Sequence, residues 1–170
     1  MSLQFDFDGD STMSILKVDT INEKTSGNGV AIPGHVIGYV NHDYNSQQVV
    51  SSTSYITTGL TVTYSAKLAN SKLRISYQIP MEQYDAAANS EDIAQTTLYI
   101  DGSEYSSSYT GLHTMENMKR SGSTIGEEFT INASDTNSHT YTIYAKTSNG
   151  QFTIFRYNIV GSLSIMEIAQ

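Results

Sequence analysis

The last thirty residues constrain this chain more than any other stretch. In Thr140-Tyr-Thr-Ile-Tyr-Ala-Lys146, Tyr141, Ile143 and Ala145 share one face at period two, and Thr140, Thr142 and Lys146 share the other. That is the pattern of a strand with one buried side. Asn149-Gly150 follows, a pair suited to the positive φ angles of a tight turn, and a second β-rich run, Gln151 to Val160, begins at once. The two runs are expected to form a hairpin. A final run from Leu163 to Ile168 is expected to be tied into a sheet, because a loose apolar strand would fray and stick.

Upstream, the same alternation recurs in short pieces. Strands are predicted at Ser14 to Ile21, Gln48 to Val50, Ser54 to Thr58, Leu60 to Tyr64, Lys72 to Ile79, Thr96 to Ile100 and Glu127 to Ile131. Polar turns separate them, and no convincing helix intervenes. This argues for an all-β antiparallel sandwich or jelly roll rather than a βαβ fold. Pro80 to Gln95 reads as a long loop or a single helical turn, with Met81, Tyr84 and Ala88 at helical spacing. Pro33 removes a ladder donor and Gly34 invites a bend, so residues 1–40 are expected to be an extended N-terminal arm and residues 41–170 the β-sandwich body. Leu3, Phe5, Phe7, Leu16 and Val18 would dock that arm on a neighbouring surface.

The chain of 170 residues has no cysteine, which excludes disulfides, thiolate metal sites and a cysteine nucleophile, and suits folding in a reducing cytoplasm. No basic leader precedes an apolar core, and no run approaches the roughly 18 apolar residues of a membrane span, so no membrane insertion is expected. Net charge is −8 and the nine basic residues are scattered. Nucleic acid is therefore not an expected partner.

Motifs for catalysis and metal binding are weak. Asp6, Asp8 and Asp10 suggest a calcium loop, but such a loop would need glycine and glutamate where this chain has Ser11 and Lys17. His35, His42, His113 and His139 lack metal-ligand spacing, so no metal or other cofactor is expected. Carboxylate pairs such as Glu82 with Asp85, or Glu127 with Glu128, could serve a glycosidase only at the right separation in space. Glu167 interrupts the apolar C-terminal run; it either faces water or, if buried, pairs with Arg156 or Arg74. The stretch from Asp101 to Gly126 has no strand pattern, and so long a connection is commonly functional. Tyr105, Tyr109 and His113 within it are the candidate receptor-binding residues, the tyrosines set among serines as in a paratope.

Ser14-Ile-Leu-Lys-Val-Asp-Thr-Ile21, Ser26-Gly-Asn-Gly-Val-Ala-Ile-Pro-Gly-His-Val-Ile37, Thr57-Thr-Gly-Leu-Thr-Val-Thr-Tyr64, Asn70-Ser-Lys-Leu73, Tyr141-Thr-Ile-Tyr-Ala-Lys146 and Ser162-Leu-Ser-Ile-Met-Glu-Ile-Ala-Gln170 resemble small tail-fibre and virion-surface proteins of bacteriophages, especially marine ones. The resemblance covers most of residues 13–170. It implies a jelly-roll body with an extended arm, a homotrimer about a fibre or capsid axis, contacts with other virion proteins and with a host surface glycan or protein, and no enzyme activity. The expected location is the virion, assembled in the host bacterial cytoplasm. Three functions stay open: a tail-fibre or receptor-binding component, a capsid decoration protein clamping capsid subunits through its arm, and, with least support, a polysaccharide hydrolase.

Overall fold

The computed structural model describes residues 32–84, 92–105, 110–114 and 121–170. The strands, in chain order, are β1 (Val36–Tyr44), β2 (Gln48–Val50), β3 (Ile56–Ser65), β4 (Lys72–Tyr84), β5 (Asp92–Ile100), β6 (Ser103–Glu104), β7 (Thr110–Thr114), β8 (Ser121–Asn132), β9 (Ser138–Thr147), β10 (Gln151–Ile154) and β11 (Gly161–Ile168). A single 3₁₀ turn, Arg156–Asn158, separates the last two.

The pairing is nested. β1 pairs with β11, β3 with β9, β4 with β8 and β5 with β7, all antiparallel, like the rungs of one long hairpin. Further antiparallel ladders join β11 to β4 and β5 to β9, and these roll the hairpin into two sheets. One sheet runs β1-β11-β4-β8, with β10 and β2 continuing along the β11 side of β4. The other runs β3-β9-β5, with β6 and β7 on the far edge of β5. The molecule is thus an all-β sandwich of antiparallel sheets, as the period-two pattern implies.

Alternation puts the core between the sheets. Leu60 and Val62, Leu73, Ile75, Tyr77 and Ile79, Tyr141, Ile143 and Ala145, and Leu163 and Ile165 are all buried, while their neighbours in each strand point outward. Burial of each large aliphatic side chain contributes about 1.5–3 kcal/mol. The C-terminal strand lies where its sequence demands, between β1 and β4.

Several local expectations are overturned. No hairpin forms at Asn149-Gly150: β9 lies in one sheet and β10 in the other, paired with β4 and β2. Both edges of β9 are already taken, by β3 and β5, so the chain must cross over. Pro80 does not begin a loop, since β4 continues to Tyr84. The Pro80 carbonyl accepts the Phe155 N–H, and a strand residue aims both its backbone groups the same way. The missing donor therefore faces the gap between β10 and β11 rather than the β8 ladder. Asp101 to Gly126 is not strandless, because β6, β7 and the first half of β8 lie within it. Its serines, threonines and glycines carry no apolar alternation, and pairing with β5 and β4 makes the strands. Ser54 to Tyr64 holds one strand rather than two, with an irregularity between Thr57 and Thr61. The arm boundary drawn at residue 40 falls inside β1.

Glu167 neither faces water nor meets an arginine. It is fully buried, and its carboxylate accepts hydrogen bonds from the Tyr64 hydroxyl (2.6 Å), the Lys67 N–H (2.9 and 3.0 Å to the two oxygens), the Leu68 N–H (3.0 Å) and the Ser71 hydroxyl (2.7 Å). Desolvation pushes its pKa up, but the Lys67, Tyr64, Ser71 and Leu68 donors outweigh it and leave the carboxyl below its ordinary 4.5. Tyr64, desolvated and bound to this anion, is held well above the ordinary tyrosine range. Opposite Glu167 stands Gly38, where any side chain would overlap the Tyr64 hydroxyl. Replacing Glu167 by Ala should cost about 3–5 kcal/mol and Tyr64 by Phe about 1.5–3 kcal/mol, read from urea denaturation at neutral pH. Because the folded pKa is depressed, this contribution is full above pH 4.5 and falls away as pH drops through the lower folded value. The Glu167→Ala variant should therefore show a smaller acid loss of stability than the parent chain.

Candidate functional site

At one end of the sandwich the β5–β6 hairpin turns at Asp101-Gly102, whose φ values of 50° and 78° are those of a two-residue primed turn. This turn faces the segment entering β9. The Asp101 Oδ1 accepts the Thr140 N–H at 2.8 Å, and its Oδ2 lies 2.6 Å from His139 Nδ1. On the other side of the ring, His139 Nε2 lies 3.0 Å from Asp135 Oδ1, which also accepts the Asn137 N–H at 2.7 Å. An imidazole donates at both nitrogens only when protonated. The two carboxylates accordingly raise the His139 pKa above its ordinary 6.5. The Thr140 N–H first and His139 second lower that of Asp101; the Asn137 N–H and then His139 do the same for Asp135.

Behind this charged rim is a cavity of about 310 Å³ whose walls include Leu73, Ile100, Ile131 and Tyr141. Tyr105 stands on the rim, 45% exposed, its N–H bonded to the Leu98 carbonyl at 3.0 Å and its ring edge-on to Phe129 at 6.0 Å. Of the sequence-derived site residues, Tyr105 thus joins the cleft. His113 lies on β7 with its backbone opposite Ile93. Tyr109, Leu3, Phe5, Phe7, Leu16 and Val18 lie outside the described residues. The cluster of Asp101, Asp135 and His139 went unmarked in the sequence, where the only signals are an Asp-Gly turn dipeptide and an Asp and His four apart. Among the described residues no group of three or more His, Asp or Glu side chains is arranged to hold a metal ion.

One carboxylate of each pair considered for hydrolysis is tied to an arginine. Glu82 is bound by Arg156, and Glu128 by Arg74 at 2.6 Å. Asp85 lies outside the described residues. In the cleft, both ring nitrogens of His139 are taken up by carboxylates, an arrangement that favours the protonated ring and suits it to holding a shape rather than to accepting a proton from a ligand.

No family model matches the chain, and no curated protein does. Among solved structures, that of dimeric latent PorU from Porphyromonas gingivalis aligns with 83% of this chain at 9% identity and a TM-score of 0.40, a likeness too slight to bear on fold or function. The chain spans 14% of that protein's length.

A raised histidine pKa carries a signed consequence. The His139 contribution to stability is full below pH 6.5 and is lost as pH rises through the higher folded value. Titration followed by NMR should place the His139 imidazole above 6.5, and the Asp101→Asn, Asp135→Asn double variant should bring it back toward the ordinary value. A His139 titrating at or below 6.5 in the parent chain would break the assignment.

Proposed function

We propose that this chain is a non-enzymatic structural and binding component of a virion surface, a homotrimeric tail-fibre or receptor-binding part that presents the Tyr105 cleft to the host. The nested pairing of eight antiparallel strands is the observation that carries the proposal. Taken as β1-β11-β4-β8 against β3-β9-β5-β7, it supports reading the sandwich as a jelly roll, two sheets rolled from one long hairpin. Such a body leaves its turns at the ends and its sheet edges at the sides, so copies pack side by side while the ends stay open for contact. Val36 and Tyr39 of β1, both more than half exposed, support assembly, since packing copies together covers apolar side chains, as does β1 lying at a sheet edge among the described residues. Tyr105 above an apolar cavity supports binding, as an aromatic gives contact area at small entropic cost. The internal saturation of Glu167 and His139 supports a binding rather than a hydrolytic role.

Sedimentation equilibrium should give three times the chain mass of 18.7 kDa, and labelled chains should appear at a few sites on the particle's fibres. Tyr105→Ala should cut adsorption about tenfold with the trimer intact. Labels at hundreds of positions over the capsid would replace this function with decoration, and unchanged adsorption would remove the cleft from receptor contact.

A further inference from the structure

The Tyr105 cleft contains a polar group that the fold itself does not use. Tyr141 lies on β9 between Val62 of β3 and Ile100 of β5, and its ring turns inward with Ile143 and Ala145. The residue is 3% exposed and forms part of the cavity wall. Tyr64 and Tyr77 also carry hydroxyls into the sandwich, and each has a partner, Glu167 at 2.6 Å and the Thr96 hydroxyl at 2.8 Å. The Tyr141 hydroxyl has no hydrogen-bond partner among the described residues, and a buried hydroxyl left in that state is incomplete. Burial first, then Asp101, Asp135 and Glu167, push its pKa up to about 12. The phenol therefore stays neutral, able to accept as well as to donate.

The walls set the size and the body of what could meet that hydroxyl. Beneath the rim, Ala66, Leu73, Ile100, Ile131 and Ala133 make the cavity apolar. An apolar cavity of roughly 150 Å³ holds a benzene ring. The space here, about 310 Å³, is about twice that, enough for a ring or an aliphatic stem with a short polar end.

The charge of the cleft selects the polar end. Its lining includes Asp101, Asp135 and His139 and neither lysine nor arginine, so two carboxylates against one imidazolium leave one negative charge at the mouth. The whole chain, at −8, adds a field of the same sign. A carboxylate offers about four acceptor sites, and Asp101 fills two, with the Thr140 N–H and with His139. The Asp101 and Asp135 side chains remain 51% and 43% exposed, so both can take a further donor. An anion finds no counter-charge here, and a neutral hydroxyl would leave the negative excess unanswered. We propose that the Tyr105 cleft binds an organic cation, a protonated amine on an apolar stem, its ammonium facing the Tyr141 hydroxyl and the Asp101 and Asp135 carboxylates while the stem lies against Leu73, Ile100 and Ile131. An ammonium carries three donors and no acceptor, which suits a site made of acceptors. This deepens, and rests on, the reading of the Tyr105 cleft as the binding end of the molecule.

The test titrates 2-phenylethylammonium, its neutral analogue 2-phenylethanol and its anionic analogue 3-phenylpropanoate into the isotope-labelled full-length chain. Expected are NMR shifts at Ile100, Ile131 and Tyr141 with the amine, about tenfold weaker binding of the alcohol and none of the carboxylate. Raising salt from about 0.05 M to about 0.5 M should weaken the amine and leave the alcohol unchanged. Tyr141→Phe should weaken the amine about fivefold while urea denaturation shows a stability no lower than that of the parent, because the hydroxyl has no partner to lose. Asp101→Asn should narrow the preference for amine over alcohol yet keep the alcohol bound, whereas a folding defect would remove both. A lysine with blocked α-amine and carboxyl distinguishes the sources: shifts with it as well as with the amine fit a partner protein's side chain, and shifts with the amine alone fit a free small cation. Equal binding of amine and alcohol, preference for the carboxylate, no shifts with any probe, or full amine affinity in Tyr141→Phe would each overturn the proposal. The titration uses isolated protein, so an amine that fails to bind while Tyr105→Ala still cuts adsorption overturns this proposal alone, and an amine that binds while adsorption is unchanged keeps the ligand and removes the host.

Discussion

A carboxylate without contact with solvent is the interaction on which the rest of this sandwich depends. Burying an anion costs several kcal/mol unless donors surround it, and Glu167 meets donors on both oxygens. All of them come from β3 and from the connection that carries the chain to the other sheet. The end of β11 is thereby clasped to the point where the two sheets exchange the chain. The same clasp shapes residues 66–71: Asn70 takes φ of 65°, its N–H bonds to the Ala133 carbonyl, and the Ala133 N–H returns to Ser71. Ala133 lies two residues before Asp135. The carboxylate in the core thus sets the segment that holds one side of the His139 clamp, and Ala66 and Ala133 both line the cavity behind it.

The opposite end obeys a different constraint. β10 and β11 lie one after the other along the same side of β4, so the short link between them must reverse without an extended loop. Three left-handed residues accomplish that, and their strain is offset by Phe155, which is fully buried, edge-on to Tyr44 at 5.2 Å and seated over Gly161. A Cβ at Gly161 would come within 2.5 Å of the Phe155 ring, so the glycine is a packing requirement. Phe155 buried and Tyr157 exposed are two consequences of one kinked backbone.

What could be read from the sequence was whatever a single strand reports about itself. The alternation in Tyr141, Ile143 and Ala145, in Leu73 to Ile79 and in Leu163 and Ile165 gave the fold class and most core residues, because one face of each strand is buried and the other wet. What could not be read was which edge of a strand is free. Asn149-Gly150 carries a strong hairpin signal, yet β9 has no vacant edge, while Asp101-Gly102 in a serine-rich stretch carries the tight hairpin. Glu167 was conspicuous, but its partners lie about a hundred residues away and three of the bonds come from backbone N–H groups, which leave no trace in side-chain identity. His139 and Asp101 are 38 residues apart. Of the tyrosines singled out, Tyr105 stands at the cleft; Tyr157, in a run read only as β-rich, is the more exposed.

The two ionic devices of this molecule sit on segments joined by the Ala133 backbone bonds, and they titrate in opposite directions. Glu167 gives its full contribution above pH 4.5, and His139 gives its own below pH 6.5. Only between these values are both complete. On the alkaline side the first loss falls on the exposed clamp, whose carboxylates remain anchored by the Thr140 and Asn137 N–H groups, so the fold persists while the rim loosens. On the acid side the clamp keeps its cation while the carboxylate in the core begins to protonate, and there the loss falls on the clasp between the sheets. The same protein therefore answers alkali locally, at the His139 clamp, and acid globally, through its core.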